Sequence, residues 1–155
     1  MPIGHVSFVN TCSITAPPAF CFGYISDFEH DPEWWPSLAS SQRICGHGMG
    51  AIYEQFASVG ALQFSSLIEI TAYTPHESME FTITSHGVMI CLVRYEFSEQ
   101  DGLTTFTMRS QIRFLPLWLR LVAPLFQTIL VGQVVTHFAI LKQTLEQAYQ
   151  QTLGV

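Results

Sequence analysis

The chain has 155 residues, of which 48% are hydrophobic and only 12% charged. That is enough apolar surface for one domain to bury a core unaided, and too much for a disordered segment. Its net charge of -6, with six Lys and Arg side chains scattered singly, supplies no basic patch to follow a nucleic-acid backbone.

Four cysteines, at 12, 21, 45 and 91, form no CxxC pair. Free thiols in a reducing compartment are therefore expected, rather than a zinc ribbon or redox motif. The opening MPIGHVSFVN has neither a basic n-region nor an apolar core of signal length, so a cytoplasmic location is expected.

The first element is a strand: in HVSFVNTCSI, Val6, Phe8, Asn10, Cys12 and Ile14 share one face by the two-residue alternation. The period then changes. Pro17 and Pro18 suit a helix's first turn, and Phe20, Tyr24 and Phe28 recur every four residues, as in a short amphipathic helix. DFEHDPEWWPSL, residues 27–38, follows with its four acids and two tryptophans. Alternating segments return in SQRIC, AIYEQFA, ALQFSSLIEITAY, SMEFTITS, VMICLVRYEF and LTTFTMRSQIRF, divided by Gly, Thr-Pro, His-Gly and Asp-Gly turn signals. Connections this short join antiparallel neighbours, because parallel strands need helical crossovers. Seven antiparallel strands are expected, the first separated from the rest by helices.

From Leu117 the period is helical, with Phe126, Leu130, Val134, Phe138, Leu141 and Leu145 on one stripe. A helix of about 25 residues would run about 37 Å, and Pro124 is expected to separate it from a shorter preceding turn. Ile129, Val131 and Val135 make its first half apolar nearly all round, so the helix is expected to be wrapped. A membrane span over 114–141 is opposed by Arg120, Gln127, Gln133, His137 and two prolines.

The order strand, APPAFCFGYISDFEHDPEWWPSL, GHGMGAIYE, IEITAYTPHESMEF, Asp-Gly hairpin and a final helix ending AILKQTLEQAY resembles the SRPBCC superfamily. Within it the chain is similar to the polyketide cyclase/dehydrase and lipid-transport group. The resemblance covers nearly the whole chain as a single domain. It implies an α+β helix-grip (START-like) fold, a curved seven-stranded antiparallel sheet around a long C-terminal helix, with two short helices after the first strand. It also implies an apolar chamber between sheet and helix, and brings no cofactor or metal with it.

Strand parity and the helical stripe nominate the chamber's lining. Apolar walls are expected from Phe64, Ile68, Met79, Phe81, Ile83, Phe106, Met108, Phe126 and Leu130, with Tyr24 and Trp35 from the helical corner. Polar contacts are expected from Asn10, Ser66, Ser110, Tyr53, Tyr95 and Gln133. His137, one turn from Gln133, and Tyr53 are the candidates for acid/base work. Arg94, Arg109 and Arg113 alternate with the apolar face and should point outward.

His30, Asp31 and Glu33 could be metal ligands, but Pro32 interrupts them and no second cluster matches. They read as a solvated loop, with Asp27 and Asp31 free to cap helices. The glycines at 46, 48 and 50 precede a strand rather than a helix and have no lysine, which suits a hairpin turn over a phosphate cradle.

A carrier or sensor of a small hydrophobic ligand, such as a lipid, an isoprenoid or quinone, or a polyketide-like compound, fits best, because no catalytic constellation is visible. The alternative is a cyclase or dehydratase using the pocket His or Tyr. The apolar run Leu115 to Phe126, with Trp118 and Arg120, would suit transient contact with a membrane surface or with a partner. One of Trp34 and Trp35 is expected beneath the sheet, with the acids around them in water.

Overall fold

The computed structural model describes residues 4–59 and 61–154. Strand β1 (His5–Ile14) leads into helix α1 (Pro18–Ile25) and a single 3-10 helix, η1 (Phe28–Glu33). Strands β2 (Leu38–Cys45), β3 (Ile52–Val59), β4 (Leu62–Thr74), β5 (Ser78–Ser85), β6 (Met89–Gln100) and β7 (Leu103–Phe114) follow, and helix α2 (Leu117–Thr152) closes the chain. The sheet runs β1-β7-β6-β5-β4-β3-β2, with every pairing antiparallel. Two short helices and a hairpin succession thus suffice to bring β1 back beside β7. Each turn has a local cause: between β6 and β7, Asp101 and Gly102 both take positive φ (55° and 79°), the pair of left-handed residues a tight hairpin requires.

Register turns the inner face of the sheet into rows. One row holds Val6, Ile112, Cys91, Ile83, Ile68 and Tyr53, and another Phe8, Ser110, Val93, Phe81 and Ile70. The alternation read from sequence therefore places the right residues inside. What it does not show is that the two ends of this face differ.

At the α1 end the interior is solid. Phe28 packs edge-on against Tyr53 and tilted against Phe81, with centroids 5.1 and 4.6 Å apart. Phe106 stacks on Phe97 and on Phe138 of α2, at 5.1 and 5.3 Å. Edge-to-face and offset pairs at these distances add to the burial of the rings themselves. Trp34 is completely buried, 6.1 Å from Phe138, whereas Trp35 is half-buried.

Helix α2 is tied to the β1 edge. The Gln127 amide donates to the Ser7 carbonyl (3.2 Å), Lys142 Nζ donates to the Ser13 carbonyl (2.6 Å), and the Glu146 carboxylate accepts from the Thr15 backbone N–H (2.7 Å). From the first of these ties to the second, helix and strand both advance by about 20 Å at their ordinary rises, so α2 runs alongside β1 in the same direction. Val134, Phe138, Leu141 and Leu145 are its buried stripe.

The expectations for this last helix need correction. The segment before Pro124 is itself helical, so α2 has 36 residues; it bends by 62° between Leu117–Leu125 and Gln127–Thr152. A proline in mid-helix loses one hydrogen bond and pushes on the carbonyl four residues back, which bends a helix without ending it. The first half is also not wrapped: Ile129, Val131 and Val135 are exposed, as are Leu117, Trp118, Leu121 and Leu125. Among the described residues no single helix is long and apolar enough to cross a membrane.

Trp34→Ala removes a ring packed on all sides and should cost about 3 to 5 kcal/mol. Trp35→Ala should cost less than half as much, and chemical denaturation of the two variants measures the difference.

Candidate functional site at the open end of the sheet

The opposite end of the inner face is open. Phe8, Phe64, Ser66, Ile83 and Met89 all face inward by register, yet each is only half-buried. Leu130 of α2 is also half-buried, as is Trp35, which packs on His137 of the same helix. Near this end α2 starts, and its first half buries Leu119 and Ala123 while turning Leu117, Trp118, Leu121 and Leu125 to solvent.

A polar lane crosses this otherwise apolar end. Ser41 pairs with Gln55 and Gln55 with Ser66 across β2, β3 and β4, and Ser85 continues the row on β5, bonded to the Ser65 carbonyl at 3.2 Å. The Gln55 amide donates to Ser41 Oγ (3.1 Å) and to Asp31 Oδ2 (2.8 Å). Asp31 is 5% exposed, which overturns the expectation of a solvated HDPE loop. The reason lies in η1: Glu29 and Glu33 point to water while the turn carries the intervening Asp31 under Trp34 and Trp35, whose backbone N–H groups both donate to its carbonyl. Asp27 is the cap, accepting from the Glu29 N–H at 3.1 Å.

Burial pushes the Asp31 carboxyl well above the usual range, reinforced by the charge of Asp27 and opposed by Gln55 and Trp34. The Trp34 indole N–H faces that carboxyl closely enough to favour its ionised form, but without a bond of good geometry, leaving Trp34 Nε1 and Asp31 Oδ1 both buried and unpaired. Desolvation of the charged form is the dominant effect. Tyr95 lies inside as well; burial raises its phenol, and the neighbouring Asp31 raises it further.

His137 is 8% exposed, its ring 4.2 Å from that of Trp35. Burial lowers its pKa, which favours the neutral imidazole, and Nδ1 has no partner. Ser110 Oγ and Asn10 Nδ2 are likewise buried and unpaired on the β1–β7 side.

The remaining nominated residues divide. Ser66 and Phe64 lie on the inner face of β4, and they, Leu130 and Trp35 are all half-buried. Phe81, Phe106 and Met108 are buried in the packed end, so the chamber expected along the whole sheet is filled there by rings. Tyr53 is core; its phenol oxygen accepts from Arg43 Nε and Nη2 at 3.2 and 3.1 Å. Burial raises that phenol and Arg43 opposes the shift. Tyr24 belongs to the outer corner, where its hydroxyl donates to Glu33 and its ring stacks on His30 at 4.3 Å. Gln133 is exposed, a correction that follows from its place about 100° round the helix from buried Val134. The Phe126 side chain lies outside the described residues.

Surface hollows lie elsewhere. A trough of about 640 Å³ is lined by Val9, Leu92, Arg94 and Arg109 of the outer face together with Phe8, Phe81 and Ser110. A cleft of about 340 Å³ lies between α1 and the Gly48 turn, lined by Asp27, Arg43, Tyr53, Tyr73 and His76. Among the described residues no group of three His, Cys, Asp or Glu is placed to hold a metal ion.

A family model described as polyketide cyclase/dehydrase and lipid transport matches residues 5–146, and the chain belongs to that family. The structure is similar to TTHA0849 from Thermus thermophilus, at 14% identity and TM-score 0.76 over 92% of this chain and 98% of that one. Ara h 8.0201 superposes with TM-score 0.68 at 15% identity, covering 92% and 98% of the two chains. The di-domain ARO/CYC StfQ of the steffimycin biosynthetic pathway gives TM-score 0.76 at 11% identity, over 97% of this chain and 52% of that one. These likenesses establish the helix-grip fold. No curated protein matches the chain in sequence.

The Asp31 shift has a defined sign. A carboxyl whose folded pKa exceeds its unfolded value, about 3.9, contributes stability below the unfolded pKa and loses it as pH rises through the folded one. Asp31→Asn should therefore gain stability relative to wild type as the pH is raised from about 4.5 to about 8. Denaturant unfolding at those two pH values reads the difference, and a pH-independent difference would contradict the buried neutral acid.

Proposed function

We propose that the chain binds a small hydrophobic molecule between the inner face of the sheet and α2, as carrier or sensor. The supporting observation is the half-buried set Phe8, Phe64, Ile83, Met89 and Leu130, apolar surface that the core packed beside it leaves partly uncovered. A ligand covering it would remove that surface from water at about 25 cal/mol per Å², the ordinary driving force for apolar sites. Lipids, isoprenoids or quinones, and polyketide-like compounds all meet this requirement.

A cyclase or dehydratase is the second reading, favoured by neutral His137 and the buried Asp31 near one space. A carboxyl and an imidazole of this kind could move a proton to or from a bound carbonyl compound. In that case His137→Ala would abolish turnover of a polyketide-like substrate while ligand still bound; unchanged turnover would exclude it.

The exposed apolar side chains of Leu117, Trp118, Leu121 and Leu125 border the open end and support delivery from a lipid surface. Wild-type protein should then float with zwitterionic liposomes, and Trp118→Ala with Leu121→Ala should not.

Nile red, an uncharged apolar dye, tests the binding reading directly. Fluorescence should rise saturably at one dye per chain, and Ile83→Trp, which fills the open end, should weaken binding by about tenfold. Absence of saturable binding would sink the proposal.

A further inference from the structure

All six basic side chains can be traced, and none faces the open interior. Arg94 pairs with Glu80 and Arg109 with Glu96 on the outer face. Lys142 is held by the Ser13 carbonyl and Glu146 at the β1 edge. Arg120 donates to the Phe114 carbonyl, Arg113 is exposed, and Arg43 is spent on Tyr53 and Asp27. The one ionisable carboxyl inside, Asp31, would repel an anion if charged and could donate a single hydrogen bond if neutral. A carboxylate or phosphate brought into this space would lose its hydration with no Lys or Arg to replace it, and His137 could supply a charge only by taking a proton that its burial disfavours, a penalty that a single hydrogen bond does not offset.

Hydrogen-bonding capacity is nevertheless present on the inner face and on α2. Ser66 lies half-buried in the lane, beside Gln55, which is already anchored by Asp31 and Ser41. His137 offers a buried, unpaired Nδ1 next to Trp35. An interior polar atom without a partner is costly, and a ligand oxygen or hydroxyl arriving beside it would remove that cost. The surrounding walls, Phe64, Ile83 and Leu130, provide no polar partner of their own.

Resting on the apolar-ligand reading, we infer that the ligand is uncharged and carries a carbonyl or hydroxyl oxygen, which the lane at Ser66 and Gln55 recognises, while free carboxylates and phosphates are rejected. This narrows the ligand class. Fatty acids and phospholipid headgroups fall outside it; ketones, quinones, phenols and fatty alcohols fall within it. It also assigns Ser66 and Gln55 to specificity and leaves affinity to the walls.

Three matched probes separate the possibilities by calorimetric titration: naphthalene, 2-acetylnaphthalene and 2-naphthoate, which share one ring system. The ketone should bind about tenfold tighter than naphthalene, the yield of roughly one good hydrogen bond, and 2-naphthoate should bind weakest at about neutral pH. Ser66→Ala should bring the ketone's affinity down to that of naphthalene. Both amide N–H groups of Gln55 are already given to Asp31 and Ser41, so the donor free for a ketone is Ser66, and Ser66→Ala is the deciding variant. Naphthoate binding as tightly as the ketone, or a ketone preference that survives Ser66→Ala, overturns the inference while leaving the binding reading intact. If none of the three binds, the binding reading falls and this inference with it.

Discussion

One helix cannot cover the inner face of seven strands, and the consequences of that shortfall organise the molecule. Helix α2 spends its buried stripe, Val134 to Leu145, against the aromatic end of the sheet, and its ties to β1 fix it along one edge. Closing the other end would require the first half of the helix to lie down on β4 to β6. Pro124 and the bend after it carry that half away from such a path. An open apolar end is thus the geometric remainder of a well-packed one.

The corner formed by α1 and η1 connects the two ends. Trp34 anchors the packed end, Trp35 reaches toward His137, and Asp31 between these elements and β3 carries a polar group inward. A buried carboxyl beside aromatic rings is destabilising unless it is kept neutral or well bonded. Its single firm side-chain bond, from Gln55, is also what ties η1 to the lane of hydroxyls, so one interaction positions both the corner and the polar part of the site.

The fold was legible because its signals are periodic. Strand alternation in HVSFVNTCSI and VMICLVRYEF, the Asp-Gly hairpin and the stripe from Leu130 to Leu145 each specify an element and its inner face. Much of the site was not, for physical reasons. Alternation says which side chains face inward but not which of them the helix covers, so Phe106 and Phe64 look equivalent in sequence and differ in the fold. The parity that places Tyr53 and Ser66 inside also places Gln55 there, so strand alternation is the sequence signal for the lane. A 3-10 turn with acids at 29, 31 and 33 has no periodicity long enough to show which carboxylate is turned under.

The central claim is that ligand enters between α2 and the open inner face, not the trough on the sheet's outer surface. Methyl-resolved NMR of Ile, Leu, Val and Met labels during titration with Nile red addresses it most directly. The account predicts shifts at Ile83, Met89 and Leu130, with Val9 and Leu92 of the outer trough unmoved. Shifts confined to Val9 and Leu92 would contradict it.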